Sequence, residues 1–279
     1  MLSEPICLRV KGPFACFTMP EFHVERVSYP VITPSAARGI LEAILMKPVE
    51  KPDAAKRENK AGFRWHILRL GIIRKGFLLP LLRNELGYES HPAYGNARGF
   101  DISDKRAQRH SLILSGGADK RGARLMLDYL IEACLEVEDD IGLGGFRGRQ
   151  PRWKTVPVLA KYHQMFLRRA RTGQCFYQPF FGCREFSVAE WELVEDFDEE
   201  TQNWRLPADA LGLMRDVNDQ FGFTFRDFDF GQFWSDHDGR VVNPETGLPR
   251  LTATRPISAK ANAGWITVNR IEHGKVVAA

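Results

Sequence analysis

Residues 33–47, TPSAARGILEAILMK, constrain the fold most, because they specify a helix that must be covered on one side. Thr33 can cap its start through the side-chain oxygen, and Pro34 suits the first helical position. Ile40, Leu41, Ile44 and Leu45 recur at helical spacing and form a single apolar face. The preceding stretch, ICLRVKG at 6–12, alternates apolar and polar residues and reads as a strand. A strand leading into a one-sided helix places the chain among folds whose helices pack on a sheet.

The rest of the chain extends that pattern. RWHILRLGII (64–73) and GFLLPLL (76–82) read as further strands, while GYESHPAYGNARGFDISDKRAQR (87–109) reads as loop. HSLILS (110–115) and LMLDYLIEACLEV (125–137) are apolar enough for core strands joined by a GGADKRGA turn. The second reads equally as a helix, since its apolar residues do not alternate strictly. A helix is expected over 158–172, between Pro157 and Gly173. VEKPDAAKRENKAG (49–62) is polar and aperiodic, and IGLGGFRGRQPRWK (141–154) is rich in Gly and Arg; both read as loops or insertions. From Trp191 onward, aromatic and acidic pieces with turns at HDG and NPETG suggest a smaller β-rich part. Strand, capped helix, strands and second helix make an α+β layout compatible with a ferredoxin-like, RNA-recognition-motif type core.

Composition removes several function classes. With 44% hydrophobic and 27% charged residues, the 279-residue chain has the balance of a globular protein with a sizeable core. No apolar run is long enough to span a membrane, and MLSEPICLRVKG lacks a secretion-signal layout, so no membrane association and a cytoplasmic location are expected. The five cysteines, Cys7, Cys16, Cys134, Cys175 and Cys183, include no CxxC pair and read as reduced thiols. The histidines form no HxxxH or HExxH pair, so neither a structural metal nor a cofactor is expected. Charge is segregated: residues 1–190 hold 30 Lys+Arg against 20 Asp+Glu, and residues 191–279 hold 9 against 15. A basic body beside an acidic C-terminal part fits a polyanionic partner on one face.

KYHQMFLRRARTGQCFYQPFFGCREF (161–186) concentrates the candidate chemistry. On a helical wheel Lys161, Gln164, Arg168 and Arg171 form one polar stripe, opposite Leu159, Phe166 and Ala170. His163 falls near the apolar stripe, and Tyr162 at its edge beside Arg169. A helix carrying this much positive charge suits phosphate contacts, and Arg168, Arg169 and Arg171 are the candidates to grip an RNA backbone. Lys161, Tyr162 and His163 are the candidates for RNA cleavage without metal. That reaction needs a group to take the 2′-OH proton, one to protonate the leaving 5′ oxygen, and a cation beside the phosphate. Histidine suits proton transfer and lysine suits charge stabilisation. Tyrosine, with its ordinary pKa near 10, is a poor base unless perturbed. In the 141–154 loop, Arg147, Arg149 and Lys154 could grip phosphate, with Phe146 and Trp153 stacking on bases. Arg109 and His110 end a further basic turn. Neither a GxxxxGK[ST] nor a GxGxxG element occurs, which argues against nucleotide hydrolysis and dinucleotide binding. No spacing singles out a pair of carboxylates for glycosidase chemistry.

FACFTMPEFHVERVSYPVITPSAARGILEAI (14–44), RWHILRLGIIRKGFLLPLLRNE (64–85) and KYHQMFLRRARTGQCFYQPFFGCREF together resemble the CRISPR-associated "Cas five" family, most closely its subtype I-C branch. The resemblance implies a ferredoxin-like RNA-binding domain, placed here at 1–190 with insertions near 49–62 and 141–157, and a small β-rich domain at 191–279. It implies binding to the hairpin of CRISPR repeat RNA and metal-independent cleavage at the hairpin base. It also implies retention on the 5′ handle of the guide RNA, beside the backbone and large subunits of a type I interference complex. In other subtypes the same family only binds the handle, so a non-catalytic subunit is the alternative. Aligned on RRARTGQ, the family's catalytic lysine falls on Lys161 and its paired histidine on Tyr162, with His163 one place later. The family's tyrosine falls on Leu45, which cannot transfer a proton.

Overall fold

A computed structural model describes residues 1–22, 25–46, 63–86, 106–137, 158–200, 203–215, 220–229 and 253–279. The chain opens with strand β1 (Ile6–Gly12) and two short strands, β2 (Phe14–Ala15) and β3 (Arg26–Val27). Helix α1 (Pro34–Ile44) follows. Its Thr33 side chain accepts from the Ala36 N–H, and Pro34 stands in the first turn, as the local sequence dictates. A cap of this kind contributes ~1 kcal/mol. The expected helix ran to 47. It stops at Ile44 because Leu45 is extended (φ −148°), and residue 47 lies outside the described residues.

Strands β4 (Arg64–Arg74), β5 (Phe77–Leu86), β6 (Arg106–Ser115) and β7 (Leu127–Glu136) come next. The loop expected over 87–109 gives way to strand at its end: Arg106 to Arg109 pair with Leu86 to Arg83. The ladder with β5 overrides the polar composition there, since it gives main-chain groups of this stretch regular partners. The alternatives for 125–137 resolve to a strand. Leu127, Tyr129, Ile131, Ala133 and Leu135 enter the main core, and Leu130 faces the other way. Helix α2 (Val158–Arg171) ends at Gly173, whose φ of +70° is readily adopted by glycine.

The tail supplies β8 (Glu190–Val194), β9 (Phe197–Asp198) and β10 (Asn203–Trp204). Helix α3 (Ala208–Arg215) then interrupts the strands, an element the reading of a β-rich tail did not include. The hairpins β11 (Gln220–Asp229) with β12 (Ala253–Lys260) and β14 (Asn269–Glu272) with β15 (Lys275–Ala278) flank β13 (Trp265–Thr267).

The central sheet runs β13-β4-β7-β1-β8 with every neighbouring pair antiparallel. Both edge strands therefore come from the C-terminal part. One face carries α1 and α2 over a core that includes Leu8, Ile40, Ile44, Trp65, Ile67, Tyr129 and Phe166. Ring contacts at 4.7 Å (Trp65–Phe166) and 5.8 Å (Tyr129–Phe181) bind the helices and the following loop to the sheet. On the opposite face, Trp204, Leu206, Ala210 and Met214 pack with Cys7, Ile73 and Leu130 in a second, smaller cluster. A separate sheet joins β6 to β2, β3 and β5. Among the described residues, no helix is long and apolar enough to cross a membrane.

Candidate nucleic-acid interface

Helix α2 is amphipathic, and packing decides which of its charges face water. Phe166 and Ala170 are buried against the sheet, while Lys161, Gln164, Arg168 and Arg171 are all exposed. The polar stripe is thus a continuous solvent face running from the first turn to the last. No acidic residue stands in its first turn, and Arg168, Arg169 and Arg171 crowd its last. Cations there interact favourably with the helix dipole and are held without a carboxylate partner on the same helix. Among the described residues, Lys161 and Arg168 make no ion pair, whereas Arg171 Nε donates to Glu195 at 2.6 Å in an exposed contact.

Arg169, expected among the phosphate contacts, turns instead to α1. It is half-buried, and its guanidinium donates to the Ile44 carbonyl at 2.9 Å, at the end of α1. The two residues beside Lys161 also turn inward. Tyr162 packs its ring 5.0 Å from Phe63, and burial raises its phenol above the ordinary value. His163 is half-buried, with Nε2 enclosed and without a hydrogen-bond partner among the described residues. Burial lowers its imidazole pKa, only partly offset by the Glu4 carboxylate, so the ring is neutral at pH 7. Leu45 is fully buried, and its carbonyl accepts from the Trp65 indole at 3.3 Å.

The segment after α2 adds an aromatic surface. Phe176 N–H donates to the Ala43 carbonyl at 2.7 Å, clipping the loop to the end of α1. This holds Phe176 72% exposed, with Tyr177 beside it at 39% and their ring centroids 5.9 Å apart. An aromatic ring at that exposure is a platform for base stacking, and it lies just past the basic turn of α2. The stacking residues picked from sequence, Phe146 and Trp153, lie outside the described residues, as do Arg147, Arg149 and Lys154.

Arg109 and His110 sit on another element, β6, opposite Arg83 and Leu82 of β5. His110 is exposed. The loop after the aromatics approaches this second sheet through Glu185, which accepts from Arg26 at 3.1 Å and from Arg83. Those contacts and the neighbouring guanidiniums hold the Glu185 carboxyl below its usual value, against the opposing effect of burial.

The face of the central sheet opposite α1 and α2 has different electrostatics. Arg9 pairs with Asp128 at 2.7 Å and with Glu192 at 3.2 Å, Lys11 with Glu190 at 3.5 Å, and Arg69 with Glu132. His66 meets Glu136 at 2.6 Å. Arg9, Lys11 and Arg69 on this face are each paired with a carboxylate, and its apolar part is covered by α3 and Trp204. A polyanion meets neutralised charge there and is attracted at the α2 stripe.

Comparison with known proteins follows the same lines. The family model Cas_Cas5d, described as a CRISPR-associated protein (Cas_Cas5), matches residues 6–269. A CRISPR pre-crRNA endoribonuclease Cas5d of Thermus thermophilus is 38% identical over 179 residues, 64% of this chain and 60% of that protein. The chain thus aligns with less than two thirds of the Thermus relative. The protein of the same description from Mannheimia succiniciproducens is 32% identical over 233 residues, 82% of this chain and 87% of that one. A solved structure titled as that of a CRISPR-associated protein superposes with a TM-score of 0.50 at 19% identity, covering 96% of this chain and 92% of the other. That likeness shows a shared mixed α+β fold.

Proposed function

The chain belongs to the Cas_Cas5d family of CRISPR-associated proteins, and from that membership we propose that it binds CRISPR repeat RNA and cleaves the precursor transcript at the hairpin base. The two relatives carry the name pre-crRNA endoribonuclease. The protein then stays on the 5′ handle of the guide RNA as a cytoplasmic subunit of a type I-C interference complex, beside the backbone and large subunits. The observation that carries the reading is the exposed stripe Lys161, Gln164, Arg168, Arg171, continued by exposed Phe176 and Tyr177. Charge along the helix tracks phosphates, and the rings past its end take unstacked bases.

In this reading Lys161 is the cation beside the pentacoordinate phosphate. Its ammonium offsets the charge that builds on the non-bridging oxygens as the 2′ oxygen attacks. Tyr162 stands at the position aligned with the family's histidine and is the proton-transfer candidate on the same turn. His163 is the poorer candidate because its Nε2 is enclosed. Arg168 and Arg171 grip the backbone, and Arg169 supports them by tying α2 to the end of α1. Arg109, His110, Arg147, Arg149 and Lys154 extend the RNA contacts beyond the helix.

The alternative, a handle-binding subunit without cleavage, is favoured by one observation. Leu45, aligned with the family's tyrosine, is sealed in the core. Incubating the purified protein with cognate repeat RNA in EDTA separates the two readings. Cleavage with a 2′,3′-cyclic phosphate end supports the nuclease, and Lys161→Ala then abolishes cutting with folding preserved. Binding with intact RNA supports the alternative.

The core is further read as ferredoxin-like. The support is the chain order β1-α1-β4-β7-α2-β8 with the antiparallel spatial order β4-β7-β1-β8 and both helices on one face. The division into an RNA-binding part (1–190) and a β-rich part (191–279) is proposed on the same basis. Strand β8 completes the core sheet across that boundary, and β13 of the second part docks onto its opposite edge.

A further inference from the structure

Cys16 and Cys183 are far apart in sequence, yet one hydroxyl stands between their sulfurs. Thr18 Oγ1 lies 3.7 Å from Cys16 Sγ and 3.8 Å from Cys183 Sγ. In its thiol form, Cys183 donates to the Cys16 carbonyl at 3.6 Å. The two backbones also touch. The Cys16 N–H donates to the Phe181 carbonyl at 3.0 Å. Between Phe181 and Cys183, Gly182 adopts a φ of +81°, and a Cβ there would fall 2.0 Å from the Cys16 oxygen. Only glycine allows this approach. It fixes the chain segments bearing the two cysteines against each other. Cys16 is fully buried, while Cys183 is half-buried and reaches solvent.

We propose that Cys16 and Cys183 form an oxidative modification site, a dithiol that closes reversibly to an intramolecular disulfide on meeting a soluble disulfide of the glutathione type. The surroundings divide the roles. The Cys16 side chain beside it, with help from the Thr18 hydroxyl and the Arg26 guanidinium, favours the thiolate at Cys183 over the opposing effects of burial and Glu185. The Cys183 sulfur and burial together hold the proton on Cys16. The Cys183 thiolate therefore attacks a sulfur of glutathione disulfide and expels one glutathione thiolate. Cys16 then gives up its proton and attacks Cys183 Sγ in the mixed disulfide, expelling the second glutathione. The protein loses two hydrogens and two electrons, and one glutathione disulfide becomes two glutathiones. Disulfides in reducing compartments are characteristically transient and redox-sensing. Cys7, Cys134 and Cys175 take no part.

The test uses the full chain, fully reduced, freed of reductant and incubated with glutathione disulfide. Thiols are counted under denaturing conditions, and peptides are mapped without reduction. The proposal expects two of the five thiols to disappear, a single Cys16–Cys183 linked peptide, and full recovery with dithiothreitol. Cys175→Ser should lose two thiols like the parent, and Cys183→Ser should form no internal bond. Unchanged thiols, a stable glutathione adduct on Cys183 without ring closure, or a bond joining any other pair would overturn it. The parent protein alone decides the matter if a variant fails to fold, and the readout involves no RNA.

Discussion

The guanidinium of Arg169 donates to the main-chain carbonyl of Ile44 at 2.9 Å, joining the last turn of α2 to the last residue of α1. A helix-end carbonyl has no partner within its own helix, and a charge-assisted bond from another helix satisfies it. This arginine belongs to the machinery that orients the stripe. Arg169→Ala should destabilise the fold by ~1.5–3 kcal/mol, read as a lower midpoint in urea. Arg168→Ala, one residue away and fully outward, should stay within ~0.5 kcal/mol of the parent. Equal midpoints for the two variants would show that the interhelical bond contributes nothing.

RNA binding should respond in the opposite order. Arg168→Ala should weaken affinity for repeat RNA by about tenfold and lower the slope of log K against log salt by about one. Arg171 is shared with Glu195, so Glu195→Gln should tighten binding by freeing it. Filter-binding titrations at several salt concentrations measure both, and an unchanged slope in Arg168→Ala would remove this residue from the interface.

Phe176 predicts a different signature. Its ring is held outward by the main-chain bond to Ala43, so truncation leaves the fold intact. Phe176→Ala should cost ~1–3 kcal/mol of binding with the salt slope unchanged. A loss that tracked salt would mean that the ring supports a charge and does not stack.

His163 gives the chain an acid-sensitive element. Its folded-state pKa is lowered by burial, so the unfolded chain takes up a proton more readily than the folded one. The stability held above the unfolded value of ~6.5 is lost as pH falls through that value toward the lower folded one. His163→Leu should flatten the stability profile in that window, measured by urea unfolding at successive pH values. If RNA cleavage occurs, its pH profile should show no ionisation that His163→Leu removes.

Much of this arrangement was legible because it is local. Thr33 and Pro34 announce a helix start within two residues, and the spacing of Lys161, Gln164, Arg168 and Arg171 fixes a face once the helix exists. The turn at Asp119 is equally local: its carboxylate accepts from the N–H groups of Arg121 and Ala123 at 2.8 Å each. The less legible features depend on distant partners. Strand β7 lacks clean alternation because Leu130, on its outward side, is covered by a cluster containing residues from α3 and β10. Helix α3 is a short element in a strand-rich tail, and packing on β4 holds it. Nothing near Arg169 says that its partner is Ile44, and nothing near Phe176 says that its ring is held outward. The pairing of Cys16 with Cys183 needs both segments already in place.

The central sheet also dictates when this protein can finish folding. Strand β4 carries hydrogen-bonding groups on an edge that is closed by Trp265–Thr267. On a translating ribosome, β1, β4 and β7 are made long before that strand emerges. The nascent chain therefore exposes a sticky, half-built edge until β13 is made. Completion waits for β13, which is made after every other strand of that sheet.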